Sequence, residues 1–245
     1  MLHVVPAYVH IERGQEKKKG SFKVKKLYCS LSVCSLFVVL LPNASAQEAL
    51  DVNIGFGSLH NSASGAGLDS GASLNAFGAC TPGSVDTFCQ ATGGLGGFFL
   101  GFGGDIMFTK RFGAGFQADI QPARSDYGPL QYRQSFLDVN GIYSPIDRKR
   151  FALRLIGGLG DARTSFSVNQ SACIGTAVCS SQTVPVGNAN HLDVHAGVGV
   201  QIYLTSHVFV RPQFDYHYVP NFTDQFGSNS VPGASIWVGY NFGER

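Results

Sequence analysis

The chain has 245 residues, 44% of them hydrophobic and only 14% charged, with 31 glycines and 19 phenylalanines. That length suits one or two domains, and so little charge beside so many aromatics excludes a disordered or acidic solvating chain. The formal net charge of +2 is uneven: residues 1–46 carry seven Lys/Arg and two Glu, leaving the remainder at −3. Nucleic acid needs a basic patch to displace phosphate counterions, so it is not an expected partner.

Taken in chain order, Lys23, Lys25 and Lys26 precede the apolar run Leu31–Leu41, and Pro42-Asn43-Ala44-Ser45-Ala46 follows. A basic region, a short apolar region and an Ala-x-Ala end make a secretory signal, with cleavage after Ala46 and a processed chain starting at Gln47. The run is too short to cross about 30 Å of hydrocarbon as a helix. Cys34 lies inside it rather than after it, which does not suit a lipoprotein site. Residues 1–22 read as an extension ahead of the signal, with translation starting near Val24. The expected organisation is therefore an extension and signal over 1–46 and one β-barrel domain over 47–245.

Beyond residue 46 no helical period appears, whereas period-2 alternation, the signature of strands, appears eight times. Segment 48–58 sets Leu50, Val52, Ile54 and Phe56 against Asp51, Asn53, Gly55 and Gly57. In 96–108, Phe98, Leu100, Phe102, Ile106 and Phe108 oppose Gly97, Gly101, Gly103 and Asp105. Segment 112–121 opposes Phe112, Phe116 and Ile120 to Gln117 and Asp119, and 132–143 opposes Leu137, Val139 and Tyr143 to Asp138 and Asn140. In 150–162, Phe151, Leu153, Leu155 and Leu159 face away from Arg154, Gly158 and Gly160. Segment 191–204 alternates most cleanly, Leu192 to Leu204 against Asp193, His195, Gly197, Gly199 and Gln201. Segments 208–219 and 233–242 put Arg211, Gln213, Asp215, His217, Ser235 and Trp237 on the face opposite Phe214, Tyr216, Ile236 and Val238.

Three connections are short (Thr109-Lys110-Arg111, Ser144–Lys149 and Thr205-Ser206-His207) and the others long, notably about 59–95 and 163–190. Alternating short turns and long loops describe an up-and-down antiparallel meander that closes on itself. The long loops hold the four cysteines outside the signal. Three pairings are open; Cys80–Cys89 and Cys173–Cys179 are expected, each closing a short loop in an exported chain. Neither pair has Cys-x-x-Cys spacing, so a metal is not assigned to them.

The choice of polar residues decides which face meets what. A water-facing strand uses Lys and Glu freely. Past residue 46 the only lysines are Lys110 and Lys149, in turns, and the only glutamates Glu48 and Glu244. Compact Gly, Asp, Asn, Gln and His suit an enclosed space, while the opposite face is apolar over about ten residues per strand, enough to cross a bilayer when tilted. The apolar face is thus expected to meet lipid, with Phe108, Phe112, Phe151, Phe209, Tyr143, Tyr203 and Phe242 forming an aromatic girdle beside the short turns.

The Ala-x-Ala signal, the eight amphipathic strands and the closing Ile236-Trp237-Val238-Gly239-Tyr240-Asn241-Phe242 resemble the small OmpA-like outer-membrane β-barrel family. That resemblance implies an all-β, eight-stranded antiparallel up-and-down transmembrane barrel in the bacterial outer membrane. It implies lipid and lipopolysaccharide as surroundings, and Ile236, Val238, Tyr240 and Phe242 as the signal that the barrel-assembly machinery reads.

Eight strands leave an interior just wide enough for side chains to fill. Asp51, Asp105, Asp119, Asp138, Asp193, His195 and Asp215 are expected inside, facing Arg154 and Arg211, as a buried ion-pair and hydrogen-bond plug. His191, Asp193 and His195 have a spacing that could chelate a metal but read as lumen polar groups, so neither metal nor cofactor is assigned. Asp215-Tyr216-His217-Tyr218-Val219 resembles the lipid A deacylase segment in which a His precedes the nucleophilic Ser by two residues. Val219 stands at the Ser position, leaving no paired nucleophile and base. The glycines of 93–104 have no helix after them to hold a phosphate. The expected role is a monomeric, non-catalytic structural or surface-interaction barrel with an extracellular ligand at its long loops. A narrow channel and a lipopolysaccharide-modifying enzyme are the rivals.

Overall fold

Alternation becomes strand wherever the chain can pair, and in this computed structural model it pairs all the way round. The structure describes residues 49–69, 79–80, 82, 89–174 and 178–243. The signal with its Ala46–Gln47 junction lies outside them. Eight strands form the barrel: β1 (Ala49–Leu59), β2 (Phe98–Met107), β3 (Phe112–Ile120), β4 (Leu130–Asp147), β5 (Phe151–Ile174), β6 (Val178–Tyr203), β7 (Val208–Tyr218) and β8 (Ser230–Asn241). Each is antiparallel to its neighbour in sequence. β8 closes the ring on β1, from Asp51 opposite Asn241 to Leu59 opposite Gly233. Closure leaves no sheet edge within the ring, which is what a hydrocarbon environment demands of backbone polar groups.

The apolar phase faces outward. Val52, Ile54, Phe102, Phe116, Leu137, Val139, Leu192 and Phe214 are all exposed, Val139 by 67%. The polar phase is buried, with Asp51, Asp138, Arg154 and Asp193 at 0%. A continuous exposed belt of this kind is stable only against acyl chains. Phe108, Phe112, Tyr143, Phe151 and Phe242 do lie exposed at the short-turn end, Phe112 stacking on Tyr143 with ring centroids 5.1 Å apart. Tyr203 and Phe209 do not join them. They are buried in the lumen, edge to face at 5.8 Å, because the strand parity that sends Arg211 inward sends Phe209 inward too, onto the bare backbone of Gly239 opposite.

Residues 163–190, read from sequence as a loop, are a ribbon. β5 and β6 stay paired from Phe151 opposite Ile202 to Ile174 opposite Val178, with an irregularity at Pro185–Gly187. β4 leaves β5 at Ser167 and β7 leaves β6 at Val194, so the distal part of the hairpin pairs only with itself. Backbone pairing continues here, but water replaces lipid on the outer face and the apolar phase disappears. Cys173 and Cys179 stand opposite each other in register; their side chains lie outside the described residues.

At the same end, Gly67–Asp69 is flanked by Ala79–Cys80 and Cys89–Ala91 in a small three-stranded sheet. The Cys80–Cys89 disulfide joins its two outer strands, with Cα atoms 5.9 Å apart. Just past β1, Asn61 holds the stretch that leads into the neighbouring β8, giving its amide N–H to the Ser228 carbonyl at 2.7 Å and accepting from the Ser228 backbone N–H at 3.1 Å.

Candidate functional site

The inward phase of the strands builds the lumen in layers. Nearest the short turns, the Arg154 guanidinium from β5 donates to Gln201 Oε1 at 3.0 Å and lies 3.6 Å from Asp51 Oδ2 and 2.9 Å from Met107 Sδ. Asp51 also accepts from Gln201 at 3.1 Å and from Asn241 at 2.5 Å, so β1, β5, β6 and β8 meet on one carboxylate.

In the next layer Arg211 donates to Asp105 at 2.7 Å and lies over the Trp237 ring at 5.7 Å. Trp237, wholly buried, donates its indole N–H to Ser235 Oγ at 2.9 Å, and Ser235 donates to Asp215 at 3.1 Å. Room for the indole comes from Gly55 and Gly101, where any Cβ would fall against the ring. Asp215 further accepts from Gln213 at 2.7 Å, and Gln213 bridges to Gln117, which donates to Asp119 at 2.7 Å. His195 joins this layer with Nε2 2.9 Å from Asp215 and Nδ1 3.0 Å from Asn140.

Above His195 the His217 ring stacks at 4.6 Å, nearly parallel at 13°. Its Nδ1 is 2.6 Å from Asp193 Oδ2 and 3.9 Å from Asp138 Oδ2. All nine sequence-predicted lumen residues are therefore inward and buried, and they fall into two guanidinium-centred layers and one imidazole-centred layer. His191, in contrast, is only half-buried and sits edge-on to Phe222, away from Asp193 and His195 in the layers below. The strand face that suggested chelation does not gather its own histidines.

Sequence reasoning missed the outer cap. Phe136 lies on the His217 ring at 4.4 Å, and beyond it Leu95, Phe99, Tyr127, Tyr132, Phe166, Val219, Phe222 and Phe226 form the largest buried hydrophobic cluster among the described residues. Tyr127 and Tyr132 meet edge to face at 5.9 Å, and both meet Phe226 in the same way. Their hydroxyls donate to backbone carbonyls, Tyr127 to Gln225 and Tyr132 to Gly94 at 2.8 Å. Burial pushes the phenol of Tyr127, which lies ahead of β4, up to about 12 and so keeps it a neutral donor. The signal available in the sequence was the inward phase turning from polar to aromatic toward the long loops, as in Phe136, Tyr132 and Phe166. Val219, at the position a deacylase serine would take, is a wholly buried member of this cap.

A closed ring with an apolar exterior, a hydrogen-bonded polar interior and a loop-bearing end defines an eight-stranded transmembrane β-barrel. The chain belongs to the outer membrane protein beta-barrel domain family, whose model matches residues 31–242, and its place is the outer membrane. Solved structures with a similar course include the outer membrane protein OprG from Pseudomonas aeruginosa (16% identity, 81% of this chain and 98% of that one, TM-score 0.45). Neisserial surface protein A (14%, 79% and 97%, 0.45) and the N-terminal β-barrel domain of Pseudomonas aeruginosa OprF (13%, 80% and 98%, 0.43) are others. A comparison with curated protein sequences finds no match.

Proposed function

We propose that this barrel is a monomeric, non-conducting and non-catalytic anchor that presents a surface for interaction outside the cell. The observation that carries this reading is the filling of the lumen from the Arg154 layer to the aromatic cap, with Trp237, Arg154, Arg211, Phe136 and Phe226 all essentially without solvent contact. A channel needs a wetted path, and eight strands provide one only if their inward side chains are small or splayed. A hydrolase that works through a serine, threonine or cysteine needs that nucleophile beside a base, and neither buried histidine, His195 or His217, has such a partner among its hydrogen bonds.

What the fold leaves free is the long-loop end: the self-paired hairpin of β5 and β6 and the disulfide-clipped sheet. Rigid elements held above a membrane by a stable barrel suit contact with a partner, and the Ser, Thr, Asn and Gln of 163–190 suit a hydrogen-bonded one. Lipopolysaccharide surrounds the barrel in this reading, and the assembly machinery reads Ile236, Val238 and Tyr240 on the exposed face of β8 together with Phe242 just past its end.

Two measurements on the same protein test it. In planar bilayers the purified barrel is expected to show no conductance steps; a reproducible unitary conductance would establish the channel instead. Cells expressing a variant with 168–184 replaced by a two-residue Asn-Gly turn are expected to keep the folded barrel at the surface yet lose adherence to host-matrix-coated plates. Equal adherence of both strains would remove the hairpin from the reading, and a mass shift in lipopolysaccharide on expression would replace it with an enzyme.

A further inference from the structure

The lumen does not balance its own charge. Among the described residues six buried carboxylates (Asp51, Asp105, Asp119, Asp138, Asp193 and Asp215) face two buried guanidiniums and two buried imidazoles. Even with both imidazoles protonated, two positive charges are wanting. Arg154 and Arg211 are committed to Asp51 and Asp105, and His195 to Asp215. Asp119, Asp138 and Asp193 are left with one imidazole, His217; Asp119 at least accepts from Gln117 at 2.7 Å, whereas Asp138 and Asp193, in the outermost charged layer, share only His217.

The backbone brings those two carboxylates together. Asp138 on β4 and Asp193 on β6 are both register partners of Gly160 on β5. With no side chain at Gly160 the carboxylates reach toward each other across the strand, and a Cβ there would overlap Asp138. Both oxygens of Asp138 and Oδ1 of Asp193 are buried without a hydrogen-bond partner, although Asp138 is wholly shielded from solvent. Leaving a buried ionised carboxylate without donors costs several kcal/mol, so such groups are paired or bind a metal.

We infer that Asp138, Asp193 and His217 bind a divalent transition cation, whose two charges balance the two carboxylates with His217 as a neutral ligand and which ties β4, β6 and β7 together beneath the aromatic cap. One ligand atom from each residue lies within 4.8 Å of the other two. Ligands about 2.1 Å from a common metal stand about 3.4 Å apart when tetrahedral, so small rotations of the three side chains suffice. Two carboxylate oxygens with one imidazole nitrogen suit Zn2+ or Mn2+ better than Ca2+, which takes six to eight oxygens. Phe136 and the cap above it block exchange with the outside, so the cation enters as the barrel folds. A single proton held between the two carboxylates is the competing arrangement.

The test is to refold the processed, tag-free chain in detergent with Zn2+, remove free metal by dialysis and measure what remains by mass spectrometry. About one Zn2+ per chain is expected, with a thermal transition at least about 5 °C above that of protein refolded in EDTA. Asp138→Asn and His217→Gln, checked as folded by heat-modifiable gel mobility, are each expected to retain at least about tenfold less metal. X-ray absorption on the unmutated protein, which needs no variant to fold, is expected to show nitrogen and oxygen ligands with one imidazole. No retained metal would assign the carboxylate pair to a proton, and retention by Asp138→Asn or a sulfur-ligated spectrum would place the metal elsewhere; any of these overturns the inference.

Discussion

Individual lumen residues matter here because each sits where water cannot compensate for its loss. Arg211 is the plainest case: its guanidinium bonds Asp105 at 2.7 Å while covering Trp237, and only 2% of its surface is exposed. Arg211→Leu keeps much of the packing but leaves the Asp105 carboxylate buried and unpaired, a change worth about 3–5 kcal/mol. The thermal transition of the refolded variant is accordingly expected well below that of the parent. An unchanged transition would mean that Asp105 is hydrated and the lumen open. Such positions were legible in the sequence because each Asp or Arg occupied the polar phase of a clean alternation. Their partners were not legible: Arg154 meets Asp51 across the lumen, through barrel closure that no local pattern encodes.

Individual strands are specified by the interplay of bare and bulky positions across neighbours. Trp237 on β8 fits only because Gly55 on β1 and Gly101 on β2 present no Cβ toward its ring. Gly101→Val is therefore expected to prevent the chain from reaching its heat-modifiable folded form, or to destabilise it by about 1–3 kcal/mol through overpacking. Gly157→Val, on a strand of the same barrel where a Cβ meets nothing within 4 Å, is expected to fold normally. Equal behaviour of the two would show that the glycines are not there for the indole. The eight segments were readable at this scale wherever lipid on one side and polar packing on the other enforce opposite phases. They stopped being readable where that contrast ends. The extension of β5 and β6 over 163–190 has water outside it and so lost its outward apolar phase. The cap residues Tyr127, Phe222 and Phe226 lie in irregular or very short elements, where periodicity has nothing to act on. Phe209 and Tyr203 show a different limit, since residue type suggested a girdle while strand parity, the stronger constraint, put both inside.

For the whole molecule, everything depends on which phase of the strands meets acyl chains. The chain carries a single tryptophan, and Trp237 is wholly buried in the lumen, whereas Val139 is exposed by 67% on the outer face of β4. Reconstitution into bilayers whose lipids carry bromine at mid-acyl depth separates the two environments, because bromine quenches only an indole it can approach closely. The parent protein is expected to lose little fluorescence in brominated bilayers, and Val139→Trp to add an emission component that is strongly quenched there but untouched by aqueous iodide. Quenching of the Val139→Trp component by iodide, with no effect of brominated lipid, would contradict the account.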